Sequence, residues 1–198
     1  MAKIKLQGAL KHRFESYSTL SMISISVVLR RLIGRPVVKD WPAMFEIGVL
    51  FWRHQFNKAF AAKDFQDGRD YFDSLITSTG ETYPLICQSN PRGKPKGTWY
   101  IHGKGESDIH VLYLHGGGYA FRSDVSSHYA QTLAGVLGVN LFMPEYRLTP
   151  EHSHPAQLDD ALLAYLYMLS EGIDPKKLVL IGDSAGGHLA LMLLQTLQ

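Results

Sequence analysis

The stretch from Leu178 to Ala190 reads LVLIGDSAGGHLA and joins an apolar run to a glycine-rich turn and the start of a helix. A continuous apolar run of this length is typical of a strand that is buried on both faces of a sheet. The segment 182–186 then fits the pattern G-x-S-x-G, in which a sharp strand-to-helix turn lifts a serine hydroxyl above the sheet. Glycines flank the serine because a Cβ there would meet neighbouring backbone. This context predicts that Ser184 is a nucleophile.

A second glycine-rich turn lies upstream and also follows an apolar run. The run is Val111-Leu112-Tyr113-Leu114, and the turn is His115-Gly116-Gly117-Gly118-Tyr119. Consecutive glycines after a buried strand allow backbone N–H groups to surround an oxyanion, as HGGG loops do in lipases and esterases. Dinucleotide and phosphate loops need the spacings G-x-G-x-x-G and G-x-x-x-x-G-K-[ST], which this turn does not have. The turn therefore indicates an oxyanion-binding loop.

The order of the apolar and polar segments predicts an α/β fold. Strands are expected at 82–88, 97–103, 109–114, 139–143 and 177–182, and helices at 126–137, 156–170 and 185–198. The last three strands alternate with helices, which is typical of βαβ units and a parallel sheet. Residues 41–72 instead carry aromatic side chains at three- and four-residue steps, a helical pattern. We expect the chain to divide near residue 80.

Composition and charge exclude several classes of protein. The chain has 198 residues, of which 45% are hydrophobic, enough for one sizeable core. Residues 1–40 carry a net charge of +6, which fits a solvated helical lead-in or, less favoured, contact with an anionic membrane surface. The basic residues are not interleaved with stacking aromatic side chains, so no nucleic-acid partner is expected.

Nothing in the sequence indicates a transmembrane helix or a secretory signal. The apolar run from Leu20 to Leu29 is too short to cross a bilayer, and it starts late and lacks a clear cleavage site. We expect an intracellular protein, either cytoplasmic or peripherally membrane-associated. No metal or cofactor is expected, because His152 and His154 lack the further ligands that a zinc site needs.

Three other segments have structural interpretations. Cys87 lies in an apolar run and is expected to be a buried structural thiol. His188 lies on the helix that follows Ser184, and packing or hydrogen bonding is the favoured role for its ring. The run Glu145-Tyr146-Arg147 is expected to form a buried polar network at the end of a strand.

Three motifs in order resemble the hormone-sensitive-lipase-like esterase family, also described as α/β-hydrolase fold-3. They are HGGGY at 115–119, EYRLTPEHSHPAQLDDALLAYLYM at 145–168 and GDSAGGHLA at 182–190, and the likeness covers about residues 97–198. The resemblance implies an α/β-hydrolase fold, with a mostly parallel sheet and an N-terminal helical cap. It also implies hydrolysis of small carboxylic esters, often with short acyl chains. Residues 1–80 would be the cap or lead-in, and residues 81–198 the N-terminal part of the hydrolase domain.

The resemblance also assigns roles within the motifs. Ser184 would be the nucleophile, and an oxyanion hole would be formed by the backbone N–H groups of Gly116, Gly117 and Ala185. His115, Gly118 and Asp183 would support these motifs. His188 departs from the family, in which asparagine is common at this position.

The residues after Ser184 lack the partners that a serine nucleophile needs. The sequence AGGHLALMLLQTLQ contains no carboxylate and only one imidazole, that of His188. In this fold the catalytic acid and histidine follow the serine along the chain. We therefore expect a chain that is truncated after the helix at 185–198 and inactive by itself. Two alternatives remain open, a receptor-like member that holds a small ligand under the cap, and an inactive remnant of an esterase gene.

Overall fold

A computed structural model describes residues 3–78, 83–103 and 107–198, which fall into two compact units, 1–79 and 80–198. The first unit contains helices α1 (Leu10–Leu32), α2 (Ala43–Phe60) and α3 (Phe65–Phe72). It also contains an antiparallel pair of strands, β1 (Lys3–Leu6) and β2 (Leu75–Ser78). The sequence pattern predicted only helices here, because a pairing between the two ends of the unit leaves no local signal.

Helix α1 is attached to the rest of the first unit mainly through polar contacts. The Ser16 hydroxyl lies 2.6 Å from that of Ser74 and accepts a hydrogen bond from the Gln55 amide at 3.0 Å. The fully buried carboxylate of Glu46 accepts from the Arg31 guanidinium and from the Val37 backbone N–H. These donors hold the pKa of Glu46 below its usual range. The inward face of α1 therefore carries buried polar side chains together with the buried Val27.

The second unit is a five-stranded sheet with helices on both faces. Its strands are β3 (Leu85–Ser89), β4 (Gly97–His102), β5 (His110–Leu114), β6 (Asn140–Pro144) and β7 (Leu178–Gly182), in the spatial order β3-β4-β6-β5-β7. Strands β6, β5 and β7 are parallel, whereas β3 pairs antiparallel with β4 and β4 antiparallel with β6. Four of the five described strands therefore run in one direction, and β4 runs opposite to them.

The helices of the second unit are α4 (Asp124–Leu137), α5 (Ala156–Ser170) and α6 (Ala185–Thr196), with a short 3₁₀ turn at Pro175–Lys177. Helix α4 begins two residues earlier than predicted, because the Ser123 hydroxyl accepts from the Val125 N–H at 2.9 Å and caps it. It ends at Gly138, whose φ of 65° favours glycine. Helix α5 matches its predicted bounds.

Alternate residues of β5 fill two apolar layers. Leu112 and Leu114 are fully buried in a cluster with α5 and α6, while Val111 and Tyr113 pack with alanines of α4. Burial on both faces explains why the strand reads as one continuous apolar run.

The prediction for Cys87 was wrong. Cys87 is exposed, because β3 is an outer strand of the described sheet and presents most of its residues to solvent. The apolar run in which Cys87 lies was mistaken for a strand covered on both faces.

The predicted polar network at residues 145–147 was also wrong. Glu145 pairs with Arg122 at 2.5 Å, and Arg147 pairs separately with Asp160 at 2.8 Å, both near the surface. Only Tyr146 is buried. Successive residues at a strand end point in different directions, so the three side chains separate.

No helix among the described residues is both long enough and apolar enough to cross a membrane.

Replacing Leu112 with alanine should destabilise the second unit strongly. The side chain is fully buried between the sheet and α5 and α6, so the change leaves a cavity and should lower the free energy of unfolding by about 2–5 kcal/mol. Val136→Ala is the control, because Val136 lies exposed on α4 and its change should cost less than about 0.5 kcal/mol. Urea unfolding measures both, and equal losses would contradict the assigned core.

Candidate active site

The pairing of β5 with β7 brings the two glycine-rich turns to one edge of the sheet. The strands are parallel, and Leu114, the last residue of β5, lies opposite Gly182, the last residue of β7. The loop at 115–119 and the turn at 183–186 therefore leave the sheet side by side. In open α/β sheets, ligands bind outside the carboxyl ends of the strands.

The turn at Ser184 is held in a conformation that most residues avoid. Ser184 has a φ of 51° and a ψ of −121°, and such positions cost of order 1–3 kcal/mol for a residue with a side chain. A Cβ on Gly182 would overlap the Gly186 carbonyl, and a Cβ on Gly186 would overlap the Leu114 carbonyl. The prediction that the flanking glycines provide room is confirmed.

The Ser184 side chain lies at the start of α6 and is exposed. Among the residues that the structure describes, none hydrogen-bonds its hydroxyl. The positive end of the helix dipole lies at this position and favours negative charge next to the serine. The Ala185 N–H, in the first turn of α6, also has no described acceptor.

The glycine loop turns its backbone through conformations that favour glycine. Gly117 and Gly118 have φ values of 114° and 60°, and a Cβ on Gly117 would overlap the Phe121 carbonyl. The N–H groups of Ala120 and Phe121 donate to the Gly117 carbonyl at 3.0 Å and close the turn. The N–H groups of Gly117 and Gly118 have no acceptor within the described part of the chain.

The carboxylate of Asp183 joins the two turns. Its Oδ1 accepts from the Gly116 N–H at 2.8 Å and from the Tyr113 hydroxyl at 2.6 Å. Burial, and then the neighbouring Asp183 carboxylate, raise the pKa of the Tyr113 hydroxyl, so it stays a donor. Asp183 therefore links the serine turn to the glycine loop and to β5 through hydrogen bonds.

The same contact corrects the expectation for Gly116. The Gly116 N–H already donates to Asp183 and is not free to donate to an oxyanion. Its close approach also explains why glycine stands there, since a Cβ would overlap the Asp183 carboxylate. The free N–H groups at this edge are instead those of Gly117, Gly118 and Ala185.

His115 is a neutral, buried support beneath the loop. Its Nδ1 lies 2.7 Å from the Gly116 carbonyl and donates to it. Its ring stacks on Tyr146 with centroids 4.3 Å apart, and the Tyr146 hydroxyl donates to the His115 carbonyl at 2.5 Å. Burial lowers the pKa of His115 to about 4, so the ring is uncharged near neutral pH.

His188 is turned toward the glycine loop. Its Nδ1 forms a hydrogen bond of 2.7 Å with the Tyr119 hydroxyl, and the two rings meet edge to face. The prediction of a hydrogen-bonding role is confirmed.

Sequence reasoning assigned no partner to three tyrosines of this edge, although it placed Tyr146 in a buried polar network. The Tyr113 hydroxyl donates to the Asp183 carboxylate, and the Tyr146 hydroxyl donates to the His115 carbonyl. The Tyr119 hydroxyl is hydrogen-bonded to the His188 ring. A tyrosine in an apolar segment reads as a core residue, because the pattern records its ring but not the partner of its hydroxyl. The available signal was position, since Tyr113 and Tyr119 closely flank the three glycines.

Comparison with known proteins agrees with this geometry. Residues 111–198 match the family model described as alpha/beta hydrolase fold. The fold of this part of the chain is therefore the α/β-hydrolase fold. The resemblance to the hormone-sensitive-lipase-like family is also confirmed, because an esterase of the bacterial hormone-sensitive lipase family is a structural neighbour. It has a TM-score of 0.62 and 27% identity, with 74% of this chain and 50% of that chain covered.

Two named relatives share part of this sequence. The carboxylesterase/phospholipase LipF of Mycobacterium tuberculosis is 44% identical over 89 residues, which are 44% of this chain and 24% of that protein. An ethyl acetate hydrolase of Pseudomonas putida is 35% identical over 125 residues, which are 61% of this chain and 36% of that protein. The chain thus spans about a quarter to a third of these relatives.

The burial of His115 should make stability depend on pH. The ordinary pKa of histidine is about 6.5. As the pH falls below that value, His115 becomes protonated in the unfolded chain but stays neutral in the folded chain. Stability should therefore fall between about pH 6.5 and pH 4, by up to about 3 kcal/mol. Urea unfolding at several pH values should show a shallower loss for His115→Asn. The exposed control, His152→Asn, should keep the wild-type loss, and identical curves for all three proteins would contradict the assignment.

Removing the Tyr113 hydroxyl should loosen the contact between the two turns. Tyr113→Phe deprives the Asp183 carboxylate of a donor and should lower the free energy of unfolding by about 1–3 kcal/mol. Tyr129→Phe is a matched control, because its half-exposed ring lies 5.6 Å from that of Tyr113. Thermal unfolding compares the two variants. Equal losses of stability would show that the hydrogen bond from Tyr113 to Asp183 contributes no more than the hydroxyl of Tyr129.

Proposed function

We propose that Ser184 is the nucleophile of a hydrolase that acts on small carboxylic esters with short acyl chains. The observation that carries the proposal is an exposed serine, held at a strained φ, beside a turn of unpaired backbone N–H groups. Backbone strain of this kind is retained where it serves a site.

The proposed reaction is acyl transfer through the serine. The Ser184 Oγ attacks the ester carbonyl carbon, its proton passes to a base, and the carbonyl oxygen takes up the negative charge. The alcohol then leaves with a proton, and water hydrolyses the acyl-serine to release the acid. The N–H groups of Gly117, Gly118 and Ala185 would bind the oxyanion, and each such donor is typically worth about 2.7–4 kcal/mol in the transition state.

The proposal includes a base from outside residues 1–198. Within the described part of the second unit, no imidazole hydrogen-bonds Ser184, and the nearby His188 bonds to Tyr119. The relatives named above are longer than this chain, so a histidine and an acid would come from a part that it does not span.

The substrate class follows from relatives rather than from a pocket. An acetyl-hydrolase of Streptomyces hygroscopicus, 42% identical over 89 residues, and the ethyl acetate hydrolase both act, by their names, on short acyl groups. The first unit, 1–79, is proposed as the cap or lead-in on the resemblance alone. A receptor-like role is less favoured, because a ligand-binding protein has no use for a strained, exposed serine.

A fluorophosphonate probe should label Ser184 in the complete gene product. Ser184→Ala should abolish the labelling and lower turnover of p-nitrophenyl acetate by at least about 10³-fold, because the acyl-enzyme cannot form. Ser153→Ala removes another exposed serine and should change neither quantity. Mass spectrometry locates the adduct.

His188→Ala tests the same assignment by changing a nearby residue that is not proposed to take part in the chemistry. It should reduce turnover far less than Ser184→Ala, because the His188 ring is hydrogen-bonded to Tyr119 and not to the Ser184 hydroxyl. Labelling at a different serine, or loss of activity in His188→Ala as complete as in Ser184→Ala, would overturn the proposal.

A further inference from the structure

Helix α1 carries an apolar stripe on its outer side. At 100° per residue, seven side chains fall within an arc of about 80° on one side of the helix, and all but Ser21 are apolar or aromatic. The other six are Leu10, Phe14, Tyr17, Ile25, Val28 and Leu32, and each is at least half exposed. Phe14 and Leu32 are each 77% exposed. Ser21 separates the stripe into two exposed apolar patches, one at each end of the helix, and exposed apolar patches mark interaction sites.

The opposite side of the helix fixes the direction of the stripe. His12, Ser16 and Thr19 are buried there, and their side chains lie on the inward face with the polar contacts to Asp67, Ser74 and Gln55. Because those contacts hold α1 against the rest of the first unit, the stripe faces away from it. A soluble helix normally has the reverse arrangement, with its apolar side inward.

Positive charge lies at both ends of the stripe. Lys11 and Arg13 lie on its two flanks at one end, and Arg35 and Lys39 follow the other end. Residues 1–40 contain two acidic side chains, and one of them, Glu15, is paired with Lys58. The surface therefore presents apolar side chains between two basic ends, with Asp40 next to Lys39 at one of them.

We propose that the stripe of α1 docks on an anionic lipid bilayer, with the helix lying in the plane of the membrane surface. An apolar face with flanking lysine and arginine is the pattern of interfacial helices, whose affinity combines apolar burial with attraction to anionic headgroups. The 23 residues of α1 extend over about 35 Å, long enough to place the whole stripe along the surface. The inference does not rest on the proposed hydrolase activity.

The charge pattern favours a membrane over a second copy of the chain. Two copies packed stripe to stripe would bring their basic ends together in either orientation, since both ends of the stripe carry lysine or arginine. Like charges at such short distance oppose association. An anionic membrane surface removes this repulsion. It also contributes about 1 kcal/mol of favourable binding free energy for each basic side chain near it.

Vesicle co-sedimentation of the complete gene product tests the proposal. The protein should bind vesicles containing about one-third phosphatidylglycerol and should bind pure phosphatidylcholine at least about 10-fold less. Sodium chloride at about 0.5 M should release most of the protein, because it screens the headgroup charge. The double variant Phe14→Glu, Ile25→Glu should lose at least about 10-fold in binding.

Matched variants distinguish a loss of docking from a loss of folding and from a general change in net charge. Val136→Glu with Leu163→Glu places two carboxylates on exposed apolar positions of the second unit and should keep most of the binding. Circular dichroism should show both double variants folded, because all four side chains are exposed. Three changes near the stripe, Lys11→Gln, Arg35→Gln and Lys39→Gln, should weaken binding more than Lys63→Gln, Arg92→Gln and Lys176→Gln.

Three results would overturn the proposal. The first is equal binding to neutral and anionic vesicles. The second is no vesicle binding, together with a dimer in sedimentation velocity that Phe14→Glu, Ile25→Glu dissociates, since a second copy would then cover the stripe. The third is no binding, together with a stripe variant that unfolds, since another part of the protein would then cover it.

Discussion

The register between β5 and β7 is the constraint on which the candidate site depends. Because Leu114 lies opposite Gly182, the glycine loop and the serine turn leave the sheet at the same level. A shift of one residue in this register would also turn the side chains of Leu112 and Leu114 away from α5 and α6. It would bring the opposite face of β7 to that side of the sheet. Core packing and the position of Ser184 are therefore specified together, and the apolar layers protect the geometry of the site.

Asp183 converts that proximity into a fixed arrangement. One carboxylate oxygen holds the Gly116 amide and the Tyr113 hydroxyl, so the loop cannot move away from the serine without leaving a charge unpaired. Beneath the loop, neutral His115 and its tyrosine partner support the next peptide. The strain at Ser184 persists because the surrounding contacts determine the turn, with Gly182 and Gly186 in van der Waals contact where side chains would clash.

The sequence predicted what local patterns and motifs encode. The strands at 110–114 and 178–182, helix α5 and the positions of both glycine turns followed from apolar runs and turn residues. Burial of the second strand on both faces was wrongly predicted, because β7 is an outer strand of the described sheet and Val179 is exposed. It did not predict the pairing of β1 with β2, the exposure of Cys87 or the use of the Gly116 amide by Asp183. Each of these depends on which distant segment lies alongside, and the local pattern is the same for either outcome.

The crystal structure of a phosphonate adduct of the complete protein tests the central claim most directly. The account predicts a covalent bond to Ser184 Oγ and a phosphonyl oxygen within about 2.7–3.1 Å of the N–H groups of Gly117, Gly118 and Ala185. The Gly116 N–H should stay on the Asp183 carboxylate, as it is now at 2.8 Å. A phosphonyl oxygen bound by the Gly116 N–H, with the Asp183 contact broken, would contradict it.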